Sequence, residues 1–177
     1  MLIAGIRIDP NYLQQLQDAF SILRNPRTEK ILSSIADSLA CNRDIAHNTG
    51  ESEQMCRFIL NKLHNTDILS KNERKYYHIN RAVLRRFERI ATNLSLNELS
   101  YCDAYYSCRS FNSTQRLEDM EMIGKQDSFF FADLEGKKSW KSKRLQPLIK
   151  YGFISTKSER RQLFLSLNKN KIRILSS

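Results

Sequence analysis

Residues 41–80, CNRDIAHNTGESEQMCRFILNKLHNTDILSKNERKYYHIN, constrain the fold more than any other stretch of the chain. They read as a short helix, a turn at Gly50, a longer helix and a two-stranded hairpin with a charged tip. Asn42 suits the N-cap of the short helix that carries Ile45 and Ala46, and Asp44 suits its positive end. Ser52 suits the N-cap of the longer helix. There Phe58, Ile59, Leu60 and Leu63 supply apolar positions, with Leu60 and Leu63 as the expected anchors. Ile68 and Leu69 open a strand, Lys71-Asn72-Glu73-Arg74 turns it, and Tyr76 to Ile79 returns. Helix, tight turn, helix and hairpin, in that order, make the helix-turn-helix with a wing that enters a DNA groove.

Helical spacing continues on both sides of this stretch. Residues 1–10 read as a short extended arm ended by Asp9-Pro10. A helix with Leu13, Leu16, Phe20, Ile22 and Leu23 stops at Asn25-Pro26. A second runs from about Thr28 to Leu39 and places Ile31, Leu32, Ile35 and Leu39 on one face. A long helix, Arg81 to Leu94, carries a stripe of Val83, Phe87, Ile90 and Leu94, with Leu84 beside it. That stripe suits the pairing of two copies into a homodimer. Arg85, Arg86 and Arg89 point elsewhere, toward DNA or simply toward solvent. Residues 95–112 either continue a helix or form an aromatic connector, and the tyrosines from 101 to 106 are expected to cover the junction between units. Ser113 or Thr114 caps a helix through Leu117, Met120 and Ile123, and Phe129 to Leu134 suits a short helix. Ser139 to Tyr151 reads as a further helix despite Pro147. Ile154 and Leu163 to Leu167 read as strands around a charged turn. Trp140 could stack on a base, although tryptophan is more often a packing residue. Five Gly and three Pro are too few for an all-β chain of many turns. The fold class is therefore mainly α with small β-hairpin wings. The chain divides into residues 1–94, a connector 95–112, and residues 113–177.

Charge is unevenly placed. Residues 137–177 hold 12 Lys/Arg and one acid, Glu159, a net of +11, whereas residues 1–136 hold 17 bases and 18 acids, a net of −1. A basic end that also carries Trp140, Phe153, Phe164 and spaced leucines is a folded unit for a polyanion, most simply nucleic acid. No apolar run is long enough for a membrane span, and MLIAGIRIDP lacks the basic start of a signal peptide. A cytoplasmic protein, nucleoid-associated in a prokaryote, is expected, with Cys41, Cys56, Cys102 and Cys108 as thiols. The sequence has no phosphate loop, no nucleophile elbow, no convincing acid pair and no zinc-type cysteine or histidine pair. Neither an enzyme, a metal site nor a cofactor is expected.

Residues 16–90 resemble the arsenic-repressor (ArsR) type of winged-helix regulator. LQDAFSILRNPRTEKILSSI stands where that family has a helix, a D/N-P-x-R break and a second helix, with Thr28 in place of the arginine. RDIAHNTGESEQMCRFILNKL stands at the two helices of the reading motif. YYHIN and RAVLRRFERI stand at the return strand of the wing and the helix that often pairs subunits. The resemblance implies a DNA-binding regulator. The Cys-x-Cys metal pair of the family is broken, since Arg43 follows Cys41 at the second position, so metal sensing is not implied. Cys56 falls where the family has a buried aliphatic residue.

The end of the chain repeats the pattern of residues 41–80. Leu60, Leu63, Asp67 and Leu69 have the spacing of Leu145, Leu148, Gly152 and Ile154, and Lys71-Asn72-Glu73-Arg74-Lys75 is echoed by Lys157-Ser158-Glu159-Arg160-Arg161. Two architectures fit: a tandem winged helix-turn-helix, or one such unit followed by a helix and hairpin packed on it. For base contacts the first unit offers Gln54, Arg57 and Asn61, since Gln suits adenine and Arg guanine. Its wing offers Lys71, Arg74 and Lys75 to phosphate or the minor groove. Glu51 and Glu53 oppose phosphate at the same helix start. In the second unit Lys138, Lys141, Lys143 and Arg144 line the helix, and Lys157, Arg160 and Arg161 tip the wing. The partner expected is double-stranded DNA, and the function sequence-specific binding in transcriptional regulation. A replication initiator or accessory protein and a winged-helix protein-interaction module are the alternatives.

Overall fold

The computed structural model describes residues 2–36 and 39–176. Helices dominate, and the strands of the described residues form small antiparallel sheets. This is the mainly α class with small hairpins that the apolar spacing predicts.

The chain opens with a hairpin, β1 (Leu2–Ile3) and β2 (Ile6–Arg7), where an extended arm is expected from the sequence. Ala4 and Gly5 both take left-handed backbone angles, φ 50 and 80, which reverse the chain in two residues. Ile3 and Ile8 are fully buried. The hairpin packs against helices near the other end of the chain, α7 (Thr114–Gly124) and α9 (Lys169–Arg173). Gly124 permits this approach, because a Cβ there would lie 2.8 Å from the Ala4 Cβ.

Helices α1 (Pro10–Leu23) and α2 (Pro26–Ile35) each start with proline in the first turn. The Asp9 and Asn25 side chains cap them, accepting from the N–H groups of Asn11 and Arg27 at 2.9 and 3.1 Å. Thr28, at the position of the ArsR-type arginine, is buried and donates its hydroxyl to the Ile22 carbonyl at 2.7 Å, tying α2 to the end of α1. Ile31 and Ile35 face the core. Leu39 lies beyond the end of α2 and is exposed, so it does not continue that face; Asp37 and Ser38 lie outside the described residues.

Next come α3 (Asn42–Thr49), α4 (Glu53–Asn65), β3 (Leu69–Lys71), β4 (Tyr77–Ile79) and α5 (Arg81–Leu94). Cys41, rather than Asn42, takes the N-cap position of α3. Its thiol and then its N–H bond to Asp44 and hold that carboxyl below its ordinary range. Ser52 caps α4 as its position predicts, accepting from the Met55 N–H at 3.2 Å. Part of the apolar stripe of α5, offered by the sequence to a second copy, is covered within the chain, while Val83 and Ile90 are half-buried. Phe87, Ala91 and Leu94 are buried against α1 and α6 (Tyr101–Arg109), the helix inside the 95–112 connector. The Phe87 and Phe20 rings meet edge to face at 6.1 Å, with Tyr101 on the other side of Phe20. Gln17 of α1 and Asn112 exchange amide hydrogen bonds of 2.8 and 3.1 Å, fixing the end of the connector. One continuous core runs from these helices into the last third of the chain.

That third comprises α7, β5 (Phe129–Phe130), a 3-10 turn at Phe131–Asp133, α8 (Lys138–Lys150), β6 (Ile154–Glu159), β7 (Gln162–Leu167) and α9. The helix expected over Phe129 to Leu134 is a short strand and a single turn. Phe129 and Phe130 pair with Leu165 and Phe164 of β7, which suits aromatic residues better than a helix of that length.

Candidate nucleic-acid interface

Two units built on one plan present the basic residues. Helices α4 and α8 have equal length, and their starts, Glu53 and Lys138, lie 85 positions apart. Both end by the same device. A residue with positive φ, Asp67 or Gly152, reverses the chain, and the next N–H, of Ile68 or Phe153, bonds back to the Leu63 or Leu148 carbonyl at 3.1 and 2.9 Å. Both hairpins then close alike. The Asn80 and Asn168 N–H groups bond the Ile68 and Phe153 carbonyls at 2.8 and 2.9 Å, and each asparagine side chain caps the following helix. A further segment pairs beside each hairpin, as a single bridge in the first and a short strand in the second. Ala40 bridges to Tyr77 beside the first hairpin, as Phe129 pairs with Leu165 beside the second. Leu60, Leu63, Leu145 and Leu148 are fully buried anchors; burying each contributes about 2 kcal/mol.

The units differ before the long helix. In the first, α3 stands there, ending at Gly50 in the left-handed region. In the second, only the 3-10 turn remains. Cys56, packed beside Thr49 of α3, has Lys141 as its counterpart 85 positions on. Lys141 is buried, and its ammonium donates to the Phe131, Ala132 and Leu134 carbonyls at 3.3, 3.0 and 2.7 Å. It satisfies the Ala132 and Leu134 carbonyls and adds a second donor to the Phe131 carbonyl, which the Leu134 N–H reaches at 3.4 Å. Lys141 therefore faces the protein interior, contrary to its expected place on a DNA face. Arg144 is likewise committed. It forms a two-pronged pair with Asp119 of α7, Nη2 lying 2.9 Å from Oδ1, and also donates to the Glu135 carbonyl. Burial pushes the Asp119 carboxyl up, against the pull of Arg144. Arg116 adds a bond from its Nε to the Arg144 carbonyl at 2.9 Å, so this pair clamps α7 to α8.

The remaining singled-out residues face solvent: Gln54, Arg57 and Asn61 on α4, Lys71, Arg74 and Lys75 on the first hairpin, Lys138 and Lys143 on α8, and Lys157, Arg160 and Arg161 on the second. Gln54, Arg57 and Asn61 share one face of α4. Their counterparts on α8 are Ser139, Ser142 and Gln146, all exposed and all missed by a search for charge. The 85-residue offset identifies them. Glu51 is neutralised by Arg27 of α2 at 3.3 Å, which relieves part of the negative field near α4. On the second hairpin Lys157 pairs with Glu159, whose hydrogen bond raises the lysine pKa.

The hairpin tips also differ. Arg160 and Arg161 form the whole two-residue loop between Glu159 and Gln162, with φ 46 and 67. Both positions of such a loop favour Asn or Gly. Two arginines there store roughly 1–2 kcal/mol each in backbone strain. The first tip is looser, with a turn bond from the Lys75 N–H to the Asn72 carbonyl and one strained residue, Lys75 at φ 64.

Two aromatic residues depart from the packing role that apolar spacing predicts. Phe58 on α4 is 55% exposed and Trp140 on α8 is 64% exposed, each with a lysine ammonium near its ring: Lys62 at 6.0 Å and Lys137 at 5.5 Å. Among the described residues no cluster of metal-ligating side chains occurs, and no helix is long and apolar enough to cross a membrane. Comparison with protein-family models, with curated proteins and with solved structures finds no match to this chain.

Proposed function

We propose that the chain binds double-stranded DNA through two winged helix-turn-helix units, the first of ArsR type, and acts as a transcriptional regulator. The observation that carries this reading is the duplicated scaffold, in which a capped helix with an exposed polar face stands beside a basic hairpin tip. In each unit the helix face supplies base contacts and the tip supplies phosphate contacts. Lys138, Lys143, Lys157, Arg160 and Arg161 form the stronger grip. Gln54, Arg57 and Asn61, with fewer positive neighbours, contribute register and base choice. The tip strain of Arg160 and Arg161 is consistent with positions kept for contact rather than for the turn.

Fluorescence anisotropy with duplex fragments at modest salt tests the binding, and footprinting on genomic fragments tests the role. Protection at promoters is expected. Protection at repeated origin elements would instead make the protein a replication initiator, and failure to bind any duplex would contradict the proposal.

A further inference from the structure

We propose that the basic unit recognises DNA in which bases are unpaired, a single strand or an opened duplex, with Trp140 stacked on an exposed base. This inference rests on the DNA-binding reading and adds a substrate preference to it. Trp140 is the most exposed large hydrophobic side chain among the described residues, at 64%. It stands in the first turn of α8, with the Lys137 ammonium 5.5 Å from its ring and Lys143 three residues further along the same helix face. An indole has the flat, polarisable face that stacking uses, and most of this one is uncovered. The lysines around it select a partner that is both anionic and flat-faced, and nucleic acid combines the two. A paired base inside a duplex shows only its edges to a groove. Its flat face becomes available where stacking is interrupted, so an indole held out by α8 is used fully only on an unpaired base. The equivalent helix of the first unit also carries an exposed ring near a lysine, Phe58 with Lys62 at 6.0 Å, though at the position of Lys143 rather than of Trp140. Such a preference belongs to proteins that act where strands separate.

The chain contains a single tryptophan, so emission excited at the red edge, where its tyrosines do not absorb, reports on position 140 alone. The full chain is titrated with a closed duplex, the same duplex with a central unpaired bubble, and one of its single strands, with anisotropy of labelled DNA as a second readout. Stacking is expected to quench the emission with the bubble or the single strand, and these forms are expected to bind more tightly than the duplex. Whether the bubble or the single strand binds better distinguishes an opened duplex from a free strand. Trp140→Leu is expected to weaken binding to unpaired DNA roughly tenfold and duplex binding much less, with Trp140→Phe restoring most of the loss. Because the side chain is exposed, both variants should keep the wild-type circular dichroism. Saturable binding with unchanged emission, tightest binding to the closed duplex, or full affinity in Trp140→Leu would overturn the inference while leaving DNA binding intact. Failure to bind any of the three DNAs would overturn both.

Discussion

The first helix–hairpin unit and the second share their reversals, caps and strand pairing, yet they support the exposed helix by different chemistry. In the first, an eight-residue helix, α3, packs beside α4, and the contact residue is the small, buried Cys56. In the second, a 3-10 turn replaces that helix, and the same slot holds Lys141 with its charge turned inward. One backbone plan thus accommodates two ways of filling the slot beneath the exposed helix, a thiol against a helix or an ammonium on the carbonyls of a turn. Positive charge in the second unit is therefore of two kinds: Lys141 and Arg144 hold the fold, while Lys138, Lys143, Arg160 and Arg161, with Lys157 in its surface pair with Glu159, face solvent.

The largest expected effect separates these two kinds. Asp119→Ala leaves Arg144 without its carboxylate and should cost about 3 kcal/mol in urea unfolding, against little change in the salt dependence of DNA binding. Lys141→Met keeps the packing but leaves the Ala132 and Leu134 carbonyls without the ammonium, and should cost about 2 kcal/mol. A neutral outcome in either variant would show that these groups are not structural. Smaller and opposite in sign is the change at the second tip. Arg160→Asn with Arg161→Gly places favoured residues in the left-handed positions and should raise stability by about 1 kcal/mol while weakening DNA binding. A variant that binds DNA as well as the wild type would remove the tip from the interface.

Thiol chemistry gives the mildest check. Burial pushes the Cys56 thiol up and the Cys108 thiol up to about 12, whereas Cys102 is exposed. Native protein treated with iodoacetamide at neutral pH should label Cys102 readily and leave Cys56 and Cys108 unmodified. Rapid labelling of Cys108 would contradict the packing of α6 against α1.

Much of this architecture was legible in the residues themselves. The breaks at Asn25-Pro26 and Gly50, the Ser52 cap and the shared spacing of Leu60, Leu63 and Asp67 with Leu145, Leu148 and Gly152 identify the main helices and both hairpins. Residue type misleads where a side chain acts against its usual habit. Lys141 reads as solvent-facing because lysines usually are, although the repeat aligns it with the expected core residue Cys56. Trp140 and Phe58 read as core for the converse reason. The N-terminal hairpin is too short to show periodicity, and its burial depends on α7 and α9, more than a hundred residues away. The stripe on α5 is plain in the sequence, but that α6 covers Phe87 and Leu94 is not, because α6 carries weak periodicity of its own.

The division of labour between the two units is tested most directly by the slope of log K against log salt for duplex DNA. One variant replaces Lys138, Lys143, Arg160 and Arg161 with alanine, and the other Arg57, Lys71, Arg74 and Lys75. At about 0.9 per phosphate contact, the first should reduce the slope by roughly 3 and the second by roughly 1 or less. Equal reductions, or a larger one in the second variant, would contradict the claim that the basic C-terminal unit supplies the main grip.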